Sequence, residues 1–249
     1  MKHITLTLAI VVALLTVAVR AQTRGATAED YFAFETLGDP RFSPDGSTIA
    51  FVVTTVDQKQ NRRRSVIYSV AADGSREPQA LTDVARSSNA PRWRPDGKAL
   101  AFLSARPAPG DDNPRTQVWL LPLSGGEPHR LTSLQNGVTS FQWSPDGSKL
   151  AVVSRSGPSD SAKSPSDVRH YLHANYKFND TGWFDDKRAH IWVVDAASGK
   201  STEVTSGDEW NDADPQWSPD GRRIAFVSDR TGKAFDEGQN TDVWVIDAN

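Results

Sequence analysis

Trp217-Ser218-Pro219-Asp220-Gly221, followed by Arg222-Arg223-Ile224-Ala225-Phe226, is one copy of a phrase that this chain uses four times. The others are Phe42-Ser43-Pro44-Asp45-Gly46, Trp93-Arg94-Pro95-Asp96-Gly97 and Trp143-Ser144-Pro145-Asp146-Gly147. Three residues after each Gly comes an aliphatic-Ala-apolar run: Ile49-Ala50-Phe51, Leu100-Ala101-Phe102, Leu150-Ala151-Val152 and Ile224-Ala225-Phe226. A phrase recurring at this spacing marks a repeat architecture, each copy being one supersecondary unit that buries its faces against its neighbours.

Working outward from the phrase, each repeat has the same grammar. A short strand ends in the aromatic. Pro-Asp-Gly turns the chain, because Pro presets φ, Asp bonds its own backbone and Gly takes a left-handed conformation without steric cost. A second strand carries the Ala, and a third carries Tyr68, Trp119, Trp192 or Trp244. A further turn leads to a fourth strand ending in Leu81-Thr82, Leu131-Thr132 or Val204-Thr205. Turn Gly and third-strand aromatic are 22, 22, 45 and 23 residues apart in the four repeats, which places an insertion in the third. Four locally joined strands per unit predict an all-β fold, a partial β-propeller of four-stranded antiparallel blades. Three blades are complete and the fourth is incomplete, its closing Thr falling due about 13 residues after Trp244 by the repeat spacing.

The predicted boundaries are a signal peptide over 1–21, a lead-in with a short helix over 22–39, and the partial propeller over 40–249. Blades fall at about 40–83, 91–133, 141–206 with the insertion 156–188, and 215–249. Lys2, the uncharged run Ile4 to Val19 and the small residues around Val19-Arg20-Ala21 read as an export signal, short for a membrane span, with a retained membrane anchor as the weaker alternative. Thr27-Ala28-Glu29-Asp30 starts the helix, which is expected to end near Leu37-Gly38. An open arc of blades exposes sheet edges, so the chain is expected either to be a fragment of a longer protein, the favoured reading, or to borrow a partner.

With 28 basic and 31 acidic residues the chain has no field to draw nucleic acid or an anionic membrane. Without cysteine it has neither disulfides nor thiol nucleophiles. No cofactor or metal is expected. Six of the eight Trp fall at repeat positions and read as inter-blade packing; Trp183 and Trp210 do not. Asp45, Asp96, Asp146 and Asp220 read as turn residues. His170 and His173 read as a surface pair, and Arg62-Arg63-Arg64 as a solvated loop between the second and third strands. No Gly-x-Ser-x-Gly elbow occurs, so no catalytic residue is assigned. The insertion departs from the repeat, and such loops often carry function. Its Trp183, Asp185, Asp186 and Arg188 are the candidate substrate contacts; a plain surface hairpin is the competing reading.

Two stretches carry a resemblance. One is the lead-in Ala28-Glu29-Asp30-Tyr31 through Asp39-Pro40-Arg41-Phe42-Ser43-Pro44-Asp45-Gly46. The other is Tyr176-Lys177-Phe178-Asn179 … Gly182-Trp183-Phe184-Asp185-Asp186, running into His190-Ile191-Trp192. Together they resemble the N-terminal propeller of prolyl-oligopeptidase-type serine peptidases, in the acylaminoacyl-peptidase and dipeptidyl-peptidase branch. The resemblance implies a secreted, periplasmic or extracellular peptidase. In it a C-terminal α/β-hydrolase domain supplies a Ser-Asp-His triad, and this propeller gates the entry of peptide substrate. No nucleic acid, and no membrane after signal cleavage, is implied as a partner. Two alternatives stay open: a non-enzymatic periplasmic Tol-type propeller that binds proteins, and a propeller acting on carbohydrate.

Overall fold

The structure is a computed structural model, and it describes residues 25–109, 111–161, 171, 176–179, 182–183, 185–231 and 240–248. The export segment expected over 1–21 and the pair His170/His173 lie outside the described residues. No described helix is long and apolar enough to cross a membrane.

The chain divides into a short leading unit and the body from Glu35 onward. In the leading unit Ala28–Ala33 forms one stretch of 3-10 helix. Thr27 N donates to Asp30 Oδ2 at 2.8 Å, so the first turn is held by its own acid. The helix ends at Ala33, earlier than expected. Leu37 and Gly38 instead pair with Val53 and Val52, because the first strand starts at Thr36 and carries Asp39-Pro40 through a bulge.

The body consists of antiparallel sheets in sequence order. Blade 1 contains β1 (Thr36–Phe42), β2 (Thr48–Asp57), β3 (Arg62–Ala71) and β4 (Gln79–Ala80). Blade 2 contains β5 (Asn89–Trp93), β6 (Ala99–Ser104), β7 (Gln117–Pro122) and β8 (His129–Arg130). Blade 3 has β9 (Ser140–Trp143) and β10 (Lys149–Ser156), then the insertion hairpin β11 (Lys177–Phe178) and β12 (Gly182–Trp183), then β13 (Arg188–Asp195) and β14 (Ser201–Glu203). Blade 4 shows β15 (Asp212–Trp217), β16 (Arg223–Ser228) and β17 (Asp242–Asp247) among the described residues.

Each repeated element does the job its chemistry suggests. Every first strand ends on the phrase's aromatic, and the turn glycines Gly46, Gly97, Gly147 and Gly221 all have φ near +70°. The turn carboxylates are consumed locally: Oδ1 of Asp45, Asp96, Asp146 and Asp220 each accepts the backbone N–H two residues on. Ser144 Oγ, Ser148 N and Ser148 Oγ together hold the Asp146 carboxyl down to about 2. The second-strand residue and third-strand aromatic are cross-strand partners in all four blades: Phe51–Tyr68, Phe102–Trp119, Val152–Trp192 and Phe226–Trp244. Thr82, Thr132 and Thr205 lie just past the paired part of the fourth strand. Their hydroxyls accept from Ile67 N, Val118 N and Ile191 N, tying the outer strand to the third.

Blades pack by alternation along the second strand. Leu100 and Phe102 face Ala50, Val52 and Ile67 of blade 1, whereas Ala101 and Leu103 share a core with Leu150 and Val152 of blade 3. The recurrent Ala gives the next blade room to approach: Ala50, Ala101 and Ala151 are fully buried, and Ala225 is not. The indoles staple neighbours: Nε1 of Trp93, Trp143 and Trp217 donates to Arg41 O, Arg92 O and Gln142 O, always the residue before the preceding blade's aromatic. Phe42 occupies that place in blade 1 and is 65% exposed. At the other end Val243 is 73% exposed, although its equivalents Val118 and Ile191 are buried completely. Arg62, Arg63 and Arg64 were expected in a loop; they instead pair with Asp57, Val56 and Thr55 as the start of β3. The hairpin is tighter than the sequence suggests because Asn61, at φ 47°, closes it.

Candidate functional site

An antiparallel meander puts the turns between first and second strands, and between third and fourth, at one end of a blade. The opposite end carries the connections between second and third strands and the linkers to the next blade. The insertion lies in a second-to-third connection, so it shares its end with the linkers 83–88, 133–139 and 206–211.

The base of the insertion is a polar clamp. Arg155, at the end of β10, donates to Asp185 Oδ1 at 2.5 Å and to Lys187 O at 3.0 Å. Asp186 accepts from Ser159 N and Oγ, both at 2.7 Å. Burial pushes the Asp186 carboxyl up, but these bonds outweigh it and hold it below the usual range. Asp160 pairs with Lys187 and accepts from Asn136 Nδ2. Arg188 Nη1 donates to Asp185 O at 2.8 Å, and burial lowers the pKa of its guanidinium. The exposed Arg155–Asp185 pair contributes little by itself, whereas the largely covered Asp160–Lys187 pair fixes the base of the insertion. It brings three of the four sequence-derived candidates, Asp185, Asp186 and Arg188, into one place. The fourth, Trp183, sits apart on the β11–β12 hairpin opposite Lys177. Its ring stacks on Tyr171 and Tyr176 at centroid distances of 5.6 and 5.7 Å, with Lys177 Nζ 5.0 Å from its centroid. Trp183 is 48% exposed, so the hairpin presents an aromatic face with a cation beside it.

Gly157 shows how closely the clamp is fitted. A Cβ there would stand 2.3 Å from Asp186 O and 2.9 Å from Lys187 Cα, both backbone. Gly157→Ala is therefore expected to unseat residues 185–188 at a cost of about 1–3 kcal/mol. Limited trypsin digestion should then cut after Lys187 or Arg188 several-fold faster than in the parent chain. An unchanged cutting rate would show that the clamp does not hold the insertion.

The strand that leaves the clamp, β13, enters a largely buried cluster that the sequence reading missed. His190, two residues after Arg188, faces Asp212 of β15, with Nδ1 3.5 Å from Oδ2 and Nε2 2.9 Å from Gly207 O. Arg230 Nη2 donates to Asp212 Oδ1 at 2.9 Å, and its guanidinium stacks on Trp210 at 4.6 Å, on Phe226 and on Trp244. Trp210, unplaced by the repeat, thus covers the cation. Burial pushes the Asp212 carboxyl up, but the neighbouring His190 imidazole, the Thr205 and Ser228 hydroxyls and the charge of Arg230 outweigh it and hold it below the usual range. The cluster locks blade 3 to blade 4. The signal for it was present: Ser228-x-Arg230 repeats Ser104-x-Arg106 at the same point after the second strand. No group of His, Asp and Glu suited to a metal occurs among the described residues.

Residues 16–169, more than half of the chain, match the TolB beta propeller domain (PD40). The chain belongs to the TolB β-propeller family. Within that family setting, it is 31% identical over 229 residues to the uncharacterized peptidase YuxL of Bacillus subtilis, covering 88% of this chain and 33% of that protein. It is 35% identical over 78 residues to dipeptidyl-peptidase 5 of Porphyromonas gingivalis, covering 31% of this chain and 11% of that one. The chain thus spans a third or less of the length of these relatives. Among solved structures its fold is like that of Pyrococcus horikoshii acylaminoacyl peptidase, with a TM-score of 0.67 at 18% identity over 88% of this chain and 32% of that one. It is also like a putative TolB from Agrobacterium tumefaciens, with a TM-score of 0.50 at 18% identity over 86% of this chain and 78% of that one. The expected kinship with peptidase propellers therefore holds, as does the all-β, four-stranded-blade fold.

Proposed function

We propose that the chain is the substrate-gating propeller of a secreted serine peptidase of exopeptidase or oligopeptidase type. Its role is to select peptides by size and end. The bond is cut in an α/β-hydrolase domain, where a Ser attacks the carbonyl with His as general base and Asp as its orienter. This chain contributes shape and contacts, with Trp183 and the Asp185–Asp186–Arg188 clamp facing the incoming peptide. The observation that carries the reading is the 31% identity to a peptidase along 88% of the chain, because it extends through the insertion as well as the widely shared blade phrase. Export through the segment 1–21 is part of the proposal.

The test is to raise an antibody against this chain and probe the native protein in its cell of origin. A fluorophosphonate probe, which esterifies an activated Ser, should label the polypeptide that the antibody captures. A captured protein that stays unlabelled at full saturation would refute the peptidase reading. That outcome would favour a Tol-type protein binder, which the family match and the likeness to a TolB over 78% of that chain support.

A further inference from the structure

The repeats allow two blade interfaces to be compared position by position. At the interface of blades 3 and 4, the half-buried guanidinium of Arg230 is answered by the buried Asp212, and His190 stands across from it. At the interface of blades 1 and 2, the equivalent arginine is Arg106. Both follow the last second-strand Ser by two residues, and both stack on a second-strand Phe and a third-strand Trp. The Arg106 guanidinium is 5.0 Å from the Phe102 centroid and 5.1 Å from that of Trp119. Five residues before the first-strand aromatic, where blade 4 has Asp212, blade 2 has Ser88. Two residues before the third-strand aromatic, where blade 3 has His190, blade 1 has Val66. The cation is kept and both of its partners are replaced by small uncharged groups.

Among the described residues Arg106 is consequently a cation without a counter-ion. It is 8% exposed; Nε donates to Ser104 Oγ at 3.3 Å and Nη2 to Ser88 Oγ at 3.0 Å. No described carboxylate pairs with it; Asp83 and Glu127 act on it only at longer range, and Arg86 acts against them. Burial, with that neighbouring charge, pushes its pKa down. Holding an unpaired guanidinium out of water is costly, so a site that does this is poised to accept an anion. Nη1 makes no hydrogen bond to a described residue and is not fully sealed from solvent. It lies beside the linker 83–88, at the same end of the blades as the insertion, where Arg86 is half exposed and ion-paired with Asp83 at 3.5 Å.

We infer that Arg106, with Arg86 at its rim, is a carboxylate-binding site that engages an acidic side chain or the C-terminus of a peptide. The ligand carboxylate takes the electrostatic place that Asp212 fills one interface pair away. A planar guanidinium with an open nitrogen matches a carboxylate by charge-assisted hydrogen bonding. The inference rests on the peptide-gating reading above and deepens it.

The test uses the full chain and two probes of equal length, acetyl-Gly-Gly-Glu and acetyl-Gly-Gly-Gln-amide, titrated calorimetrically at low salt, with acetate as a third arm. The acidic peptide should bind at least about tenfold tighter than the amide, and tighter than acetate. Ser88→Asp restores the carboxylate of blade 4 and should reduce that preference to twofold or less while raising the melting temperature. Arg106→Gln should remove the preference by the opposite route. Arg62→Gln, a charge change on the exposed hairpin, should leave it intact. Equal binding of acid and amide, an undiminished preference in Ser88→Asp, or acetate binding as tightly as the peptide would overturn the site and leave the gating reading standing. Failure of both peptides to bind would overturn the gating reading with it.

Discussion

Replacing Asp212 by Ala is expected to cost about 3 kcal/mol of stability, the lower end for a broken buried pair, because it removes a completely buried carboxylate and leaves the half-buried Arg230 guanidinium without its anion. For a body of this size that corresponds to a fall in melting temperature of roughly 10 °C. The carboxylate is completely buried and gathers Arg230, His190, Thr205 and Ser228 across the junction of blades 3 and 4. Asp212→Asn keeps the shape and loses the charge, so it should fall between the parent and Asp212→Ala. The effect has a pH signature with a definite sign. The folded-state pKa of Asp212 lies below its ordinary 3.8. Its stabilisation is therefore complete above that value and is lost as pH falls through the lower, folded value. The gap between parent and Asp212→Ala should be full at pH 6 and should shrink below pH 3.8. A melting temperature within about 1 °C of the parent at pH 6, equivalent to a small fraction of a kcal/mol, would show that the cluster does not hold the blades.

Phe102→Ala is expected to cost at least as much, about 3–5 kcal/mol, through lost burial and the cavity left behind. Phe102 is fully buried between blades 1 and 2 among Ala50, Val52, Ile67, Leu100 and Trp119. Its equivalent Phe51 stacks on Tyr68 but is only half-buried, because no described blade covers that face. Phe51→Ala should therefore cost less than half as much in urea unfolding. Equal losses at the two positions would mean that inter-blade burial is not what the second-strand aromatic supplies.

The blade grammar was legible because local chemistry decides it. Pro-Asp-Gly makes a turn wherever it stands, and the aromatics and Ala alternate with the period of a strand. The lead-in was harder. Thr27 and Asp30 make a genuine helix start, but nothing local opposes strand pairing at Leu37 and Gly38, and β2 claims them. Arg62 to Arg64 read as a solvated run because charge suggests a loop; the edge of a long hairpin tolerates it equally well. His190 and Asp212 were invisible as a pair because their partnership is made by the stacking of blades and not by proximity in sequence. Placing Ser104-x-Arg106 beside Ser228-x-Arg230 was the one sequence signal that pointed to it, and only the fold says what surrounds each arginine. In the insertion, residue type singled out Asp185, Asp186, Arg188 and Trp183, but their division into a clamp and an aromatic face depends on Arg155 and Ser159, which lie outside that list.

The central claim is that peptide meets the end of the blades that carries the insertion. It is tested most directly by photo-crosslinking, with benzoylphenylalanine placed at Trp183 in one variant and at Asp96, on the opposite turns, in another. An acetylated peptide bearing an affinity tag should crosslink to the Trp183 variant and be competed by untagged peptide, while the Asp96 variant stays unlabelled. Labelling at Asp96 with none at Trp183 would place peptide on the wrong end of the blades and contradict the account.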